Sequence, residues 1–329
     1  MIGLRMGASH VRGYVANPHV EVRSVCDLDE SRAAAVAREF GIAHHTTDYR
    51  ECIGQDGVDI VSVATPDPLH AEHCIAALEA GKDVLCEKPL AQTIENCQAM
   101  VAAADRTGRT FMVGQVCRYA PGFKLTQKLI ADGLIGKLFF VESEYAHDYT
   151  HVRGVGGWRV DPVAKREPFI GGACHAVDLL RWIAGDAEEV FAYANRMVLT
   201  DWPVDDCTVA AIRFKSGVIG KAFCSIGCKR PYTMRSVFYG DDGTIISDNT
   251  SPEIEVHTRR YMDTLAFARM PVNVASHNVT AEIEELVNAV LEGRPVATDV
   301  REGAKTVATC RAAVESAASG QPVKVRNEF

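Results

Sequence analysis

The sequence has no run approaching the roughly 18 apolar residues that cross a bilayer. It has no basic start followed by an apolar stretch and a cleavage site, and no Lys/Arg cluster outside its loops denser than Arg259-Arg260. No membrane partner is therefore expected, and a net charge of −8 withholds the positive footprint that nucleic-acid phosphates require. The expectation is a cytoplasmic protein. Its eleven cysteines include no Cys-x-x-Cys pair, Cys224 and Cys228 being the closest two. Without that spacing no metal site is expected, and the thiols read as small buried hydrophobes in a reducing compartment. Only Cys174 stands beside candidate catalytic residues, and nothing near it in sequence marks a base that would activate it. Internal repeats and low-complexity linkers are also lacking.

What is present is apolar material for two cores: 47% of the 329 residues are hydrophobic, in a chain longer than one typical domain. The stretch around which the rest is organised is Gly81-Lys-Asp-Val-Leu-Cys-Glu87-Lys88-Pro89-Leu90, a short apolar strand that stops at Glu87-Lys88-Pro89. Proline donates nothing to a sheet ladder and restricts the residue before it, so Pro89 ends the strand and constrains Lys88. Ligands of open α/β sheets bind beyond the carboxyl ends of strands, which makes Lys88 a candidate functional cation; the plain alternative is a solvated lysine.

Upstream, Gly3-Leu-Arg-Met-Gly7-Ala8-Ser-His10 is a damaged version of the glycine turn that receives a dinucleotide pyrophosphate. With Gly3 first and Ala8 third, Arg5 takes the middle glycine's place; with Gly7 last, Ile2 and Leu4 take the places of the earlier two. In either register hardly any chain precedes the turn, only Met1 and Ile2 standing before Gly3, so the first strand is expected to be short. Val20 to Asp27 alternates like a strand and ends in an acid placed for a ribose, although Asp27 serves equally as a turn residue. Strands at Val58–Ala64, Val84–Cys86 and Thr110–Val113 alternate with helices at His70–Ala80 and Ile94–Thr107. That alternation predicts a parallel, doubly wound sheet.

After Arg118-Tyr119 the texture changes. Beyond a helix at Gly122–Asp132, long alternating strands appear at 137–145, 189–198, 207–214, 218–226 and 235–239, several without helices between them. They predict an α+β domain on an open, largely antiparallel sheet. Helices at 280–292 and 301–318 close the chain. The expected division is 1–118 and 119–329, with the last helices able to return to the first domain. A sheet face without enough later helix to cover it predicts a homodimer or homotetramer, with Leu199 and Trp202 as candidate contacts. An irregular loop carrying His147, His151, Arg153, Trp158 and Arg159 is either functional or a mobile excursion.

Thr65-Pro66, His70, Glu87-Lys88-Pro89, Arg118-Tyr119 and Gly171-Gly-Ala-Cys-His175-Ala-Val-Asp178-Leu-Leu-Arg181-Trp182, with Gly293-Arg294-Pro295 and Ser319-Gly320-Gln321-Pro322-Val323, together resemble the glucose-fructose oxidoreductase/inositol dehydrogenase/MocA family across nearly the whole chain. The resemblance implies an NAD(P)-binding Rossmann domain, a substrate domain, and NAD-dependent dehydrogenation of a secondary hydroxyl of a sugar, inositol or related polyol. It implies Lys88 and His175 as catalytic residues. Gly3, Gly7, Ala8, His10, Asp27, Thr65, Pro66, His70, Glu87 and Lys88 are then expected at the cofactor, and Arg118, Tyr119, His147, Trp158, Arg159 and Asp178 at the substrate. Family members often carry an acid four residues before the histidine, where this chain has Gly171. The chemistry asks for the same types: a base for the carbinol proton, and a cation for the developing alkoxide. His175 has a second reading, a buried structural histidine opening a helix. Asp27 favours NAD over NADP by repelling a 2′-phosphate, and Arg32 pulls the other way. The alternatives are a cofactor-binding sensor or scaffold that does not turn over, favoured by Arg5, the short first strand and Gly171, and, within the family, redox-assisted glycoside cleavage.

Overall fold

Short apolar strands with no polar alternation need cover on both faces, and the first part of the chain supplies it. The computed structural model describes residues 1–261, 263–273 and 277–329. Two compact units emerge, one of residues 1–116 with 279–304 and 329, the other of 117–278 with 305–328.

The first unit runs α1 (Gly7–Val15), β1 (Ser24–Cys26), α2 (Glu30–Phe40), β2 (His44–Thr46), α3 (Tyr49–Ile53), β3 (Ile60–Val63), α4 (His70–Glu79), β4 (Asp83–Glu87), α5 (Ile94–Thr107) and β5 (Phe111–Gly114). β1 pairs with β2, and β4 pairs with both β3 and β5, all in parallel. The short first strand is a single ladder position: Ile2 bridges Cys26 on one side and Val63 on the other, also in parallel. All carboxyl ends therefore point the same way. Each of the five residues of β4 is buried. Helix limits follow local chemistry: Asp29 and Thr93 cap α2 and α5, and Gly41 and Gly108 end them in the left-handed region. β2 and α3 were not expected from the sequence; each is short, and β2 is partly polar.

The second unit holds α6 (Pro121–Ala131), β6 (Leu138–Ala146), α7 (Pro168–Gly171), α8 (Cys174–Ala184), β7 (Ala187–Asn195), β8 (Cys207–Phe214), β9 (Ile219–Ser225), β10 (Arg235–Gly240), β11 (Gly243–Asp248), β12 (Glu253–Thr258) and β13 (Ala266–Pro271). The chain then adds α9 (Val279–Glu292) to the first unit, runs through α10 (Val300–Ser319), and ends with β14 (Val323–Lys324). The nine-stranded sheet has the order β13-β12-β11-β10-β6-β9-β8-β7-β14. Its only parallel neighbours are β6 and β9, so the sheet is mixed and mostly antiparallel.

α8 lies on β6 and β9, and α6 lies on β11 and β12. Strand alternation matches: in β8, Thr208, Ala210, Ile212 and Phe214 are buried, while Val209, Ala211 and Arg213 are exposed. Tyr193, Val209, Ile219 and Phe267 leave apolar surface on the other face. The proposed contact residues do not belong to that face. Leu199 and Trp202 are only 6% and 2% exposed, because both side chains turn into the unit's interior.

Candidate active site

At the carboxyl end of β4 the strand delivers one buried carboxylate and one half-buried lysine. Glu87 Oε1 lies 3.0 Å from His10 Nε2, and His10 Nδ1 lies 2.9 Å from Ser62 Oγ. Nε2 donates to the Glu87 carboxylate, and Nδ1 meets the Ser62 hydroxyl. Glu87 Oε2 accepts the Lys88 backbone N–H at 3.1 Å. Burial alone would raise the Glu87 pKa, but the hydrogen bond to His10 and the charge of that ring, then the Lys88 charge and backbone N–H, outweigh it and bring the carboxyl down to about 2. Beside them stands Glu282 from α9, fully buried, with neither carboxyl oxygen hydrogen-bonded. Burial and the neighbouring Glu87 carboxylate hold its carboxyl well above the usual range, with Lys88 opposing. Lys88 thus sits against two carboxyl groups, of which Glu87 holds the negative charge.

The turn before α1 fits a dinucleotide. Gly3 has φ +83°, and a Cβ there would stand 2.7 Å from the Ala64 carbonyl oxygen, so the backbone approaches β3 as only glycine allows. No side chain caps α1 at Met6, so the backbone N–H groups of its first turn, from Gly7 and Ala8 on, are the donors a pyrophosphate would use. Asp27, just past β1, accepts the Leu4 N–H at 2.8 Å and pairs with Arg32 at 2.7 Å. Arg5, in the middle-glycine position, is exposed.

Two residues expected at the cofactor are buried and bonded to protein atoms. His10 and His70 are 0% and 1% exposed, and protein atoms occupy both ring nitrogens of each. His70 lies 2.9 Å from the carbonyl oxygens of Pro89 and of Thr65. Two acceptors are satisfied together only by an imidazolium; burial opposes that charge, but the neighbouring Cys86 sulfur, then the Asp67 carboxylate and the Pro89 carbonyl, raise the ring's pKa to about 10. His70 therefore ties Thr65-Pro66 to Lys88-Pro89 from below. The cleft of about 550 Å³ lined by Glu21, Arg23, Asp59, Lys82 and Val287 opens at the amino ends of the strands, opposite Lys88.

In the second unit His175 lies in the first turn of α8. Its Nδ1 is 3.4 Å from Cys117 Sγ, and its ring centroid is 5.2 Å from that of His277. A chain of rings continues from there: Tyr232 lies 5.5 Å from both His277 and His147, and the Tyr145 and Tyr149 hydroxyls meet at 2.6 Å. Arg159 stacks over Tyr149 and Trp158. Burial, then the Arg159 charge, lowers the His147 pKa. Aromatic faces broken by a few polar tips suit a ligand with both C–H faces and hydroxyls.

Arg118 and Asp178, both expected at the substrate, are spent on each other. Arg118 donates from Nε and Nη2 to the two Asp178 oxygens, at 2.7 Å each, and both side chains are buried. Thr306 adds a bond to Asp178 at 3.2 Å. Tyr119 follows Arg118 in the same short 3-10 turn. At Gly171 a Cβ would fall 2.2 Å from the Arg166 guanidinium carbon, and Arg166 donates to the Gly171 carbonyl at 2.9 Å. A buried cation fills the space an acid's side chain would need. Ser62, Glu282, Cys117, Tyr232 and His277 were not singled out in the sequence; Cys117, beside Arg118, was the most discoverable.

The family model described as the oxidoreductase family, NAD-binding Rossmann fold, matches residues 1–115, and that of the GFO/IDH/MocA C-terminal domain matches 123–246. The chain is 31% identical to a 1,5-anhydro-D-fructose reductase of Ensifer adhaerens, over 93% of this chain and 91% of that protein. It is 29% identical to inositol 2-dehydrogenase 3 of Saccharopolyspora erythraea, over 99% and 94%. A levoglucosan dehydrogenase solved in complex with NADH superposes with a TM-score of 0.90 at 26% identity, covering 99% and 98% of the two chains.

Proposed function

The chain belongs to the GFO/IDH/MocA family of NAD-binding oxidoreductases, and from that premise we propose that it oxidises a secondary hydroxyl of a cyclic sugar or polyol, or reduces the matching ketone. His175 exchanges the hydroxyl proton as general base or acid, and Lys88 stabilises the negative charge that grows on the oxygen. NAD, when bound, accepts the carbinol hydrogen with its electron pair; Gly3, the amino end of α1 and Asp27 are the groups to hold it. Asp27 receives the ribose hydroxyls, and its bond to Arg32 keeps that guanidinium from a 2′-phosphate.

The observation that carries this reading is the row of Tyr145, His147, Tyr149, Tyr232 and His277 rings beside His175. The relatives named above act on anhydro sugars and inositols, in keeping with such a row. The test is reduction of NAD⁺ by the purified protein against levoglucosan, inositols and aldoses. Saturable turnover with one of these classes is expected, and none with any, in either direction, would overturn the reading. A sensor that does not turn over is the second reading, favoured by Arg166 filling the position beside Gly171; tight NAD binding without turnover would support it.

The uncovered face around Tyr193, Ile219 and Phe267 would be buried by a second copy. Light scattering is expected to give a dimer or tetramer mass, and a monomer at all concentrations would exclude this. No helix among the described residues is long and apolar enough to cross a membrane, and the eleven mostly buried cysteines suit a reducing cytoplasm.

A further inference from the structure

Cys117, His175 and His277 come from three distant points of the sequence, and the second unit brings them together. One donor atom of each, the thiol sulfur and a ring nitrogen of each histidine, lies within 4.8 Å of the other two. Cys117 and His175 are buried and His277 is partly so. Zinc bonds of about 2.3 Å to sulfur and about 2.0 Å to nitrogen, arranged as a tetrahedron, separate such ligand atoms by about 3.5 Å. The Cys117 Sγ to His175 Nδ1 distance is 3.4 Å. A thiol-to-imidazole hydrogen bond brings a pair equally close; it is the third donor atom, from His277, that makes the group a ligand set. The Tyr232 hydroxyl, 3.3 Å from His277 Nε2, fixes that ring's orientation. Met234 Sδ, 3.6 Å from Cys117 Sγ, adds a second soft atom.

We propose that Cys117, His175 and His277 form a binding site for a thiophilic divalent cation, zinc above all, that silences the enzyme when filled. A thiolate with two imidazoles is a zinc donor set, and three protein ligands leave a fourth position for water. On binding, the Cys117 S–H bond breaks and its proton leaves to solvent as the metal–sulfur bond forms; no electron is transferred. The metal also takes a lone pair of His175, which then cannot accept the substrate proton. Silencing rests on the role of His175 proposed above, whereas binding does not.

The test is a Co²⁺ titration of the full chain without cofactor or substrate, followed by visible and near-ultraviolet absorption. One equivalent should produce a thiolate-to-cobalt charge-transfer band with tetrahedral visible bands. Cys117→Ser should abolish the charge-transfer band, and His277→Gln should weaken binding about 10-fold or more, with circular dichroism confirming that both are folded. Zn²⁺ should inhibit the parent reversibly, a chelator should restore turnover, and Cys117→Ser should need about 10-fold more zinc. A folded parent with no band, or a band unchanged in both variants, overturns the site. A site that fills at one equivalent while turnover continues overturns the silencing and counts against His175 as the base.

Discussion

The parallel sheet of the first unit and the nine-stranded sheet of the second place functional groups in opposite ways. In the first, every strand runs the same direction, so Asp27, Thr65 and Lys88 arrive at one edge simply because β1, β3 and β4 end there. In the second, neighbouring strands mostly reverse, which scatters their ends. The groups beside His175 come instead from the start of α8, the end of β6, the following loop and the segment around His277. One unit presents chemistry by topology, and the other assembles it by packing. A site made by topology tolerates loss of a side chain without losing its frame, whereas a site made by packing is tied to the stability of its unit.

That contrast can be broken by experiment. His175→Ala should lower turnover by about 10²–10⁴, with the deficit narrowing at high pH, where water or hydroxide substitutes. NAD affinity should stay unchanged, and an equal loss of both would merge the two roles. Arg118→Met should leave Asp178 buried without its cation and destabilise the protein by about 3–5 kcal/mol. Chemical denaturation followed by circular dichroism measures this, and a loss below 1 kcal/mol would show the pair to be incidental. Asp27→Ser removes one of the two carboxylates that hold Arg32, Asp29 keeping the other, and should move the NAD to NADP preference by about 10–100-fold, read from the two dissociation constants.

The smallest effect concerns Glu282. A carboxyl whose folded pKa is raised above its unfolded value keeps a proton that the unfolded chain releases, so stability falls as pH rises above the ordinary carboxylate range. Glu282→Gln should therefore raise the melting temperature near pH 8 and leave it unchanged near pH 4. A lower melting temperature at pH 8 would mean the charge is compensated there.

How much was legible follows the same division. The Lys88 strand end, Gly3 and helix α5 were readable because each is decided within a few residues: a proline after a strand, a left-handed glycine, a Thr93 cap and a Gly108 stop. The alternation in β12, Glu-Ile-Glu-Val-His-Thr, buried at every second residue, was present in the sequence and passed over. Partnerships were not readable. Nothing near His10 indicates that it bonds Ser62 and Glu87 rather than a cofactor, nor near Arg118 that Asp178 will take its charge. Trp202 is buried, and the ring it packs on, Tyr149 at 5.9 Å between centroids, lies too far away in sequence for local pattern to show it.

The central claim, that the end of β4 supplies the charge for catalysis, is tested most directly by Lys88→Met, with NAD affinity and turnover measured on the same folded sample. Turnover lower by about 10²–10³ with NAD binding largely intact is the result expected for one lost electrostatic donor. Under the proposed roles its loss should not add to that of His175→Ala in the double variant. A Lys88→Met protein that folds, binds NAD and turns over at the parent rate would contradict the account.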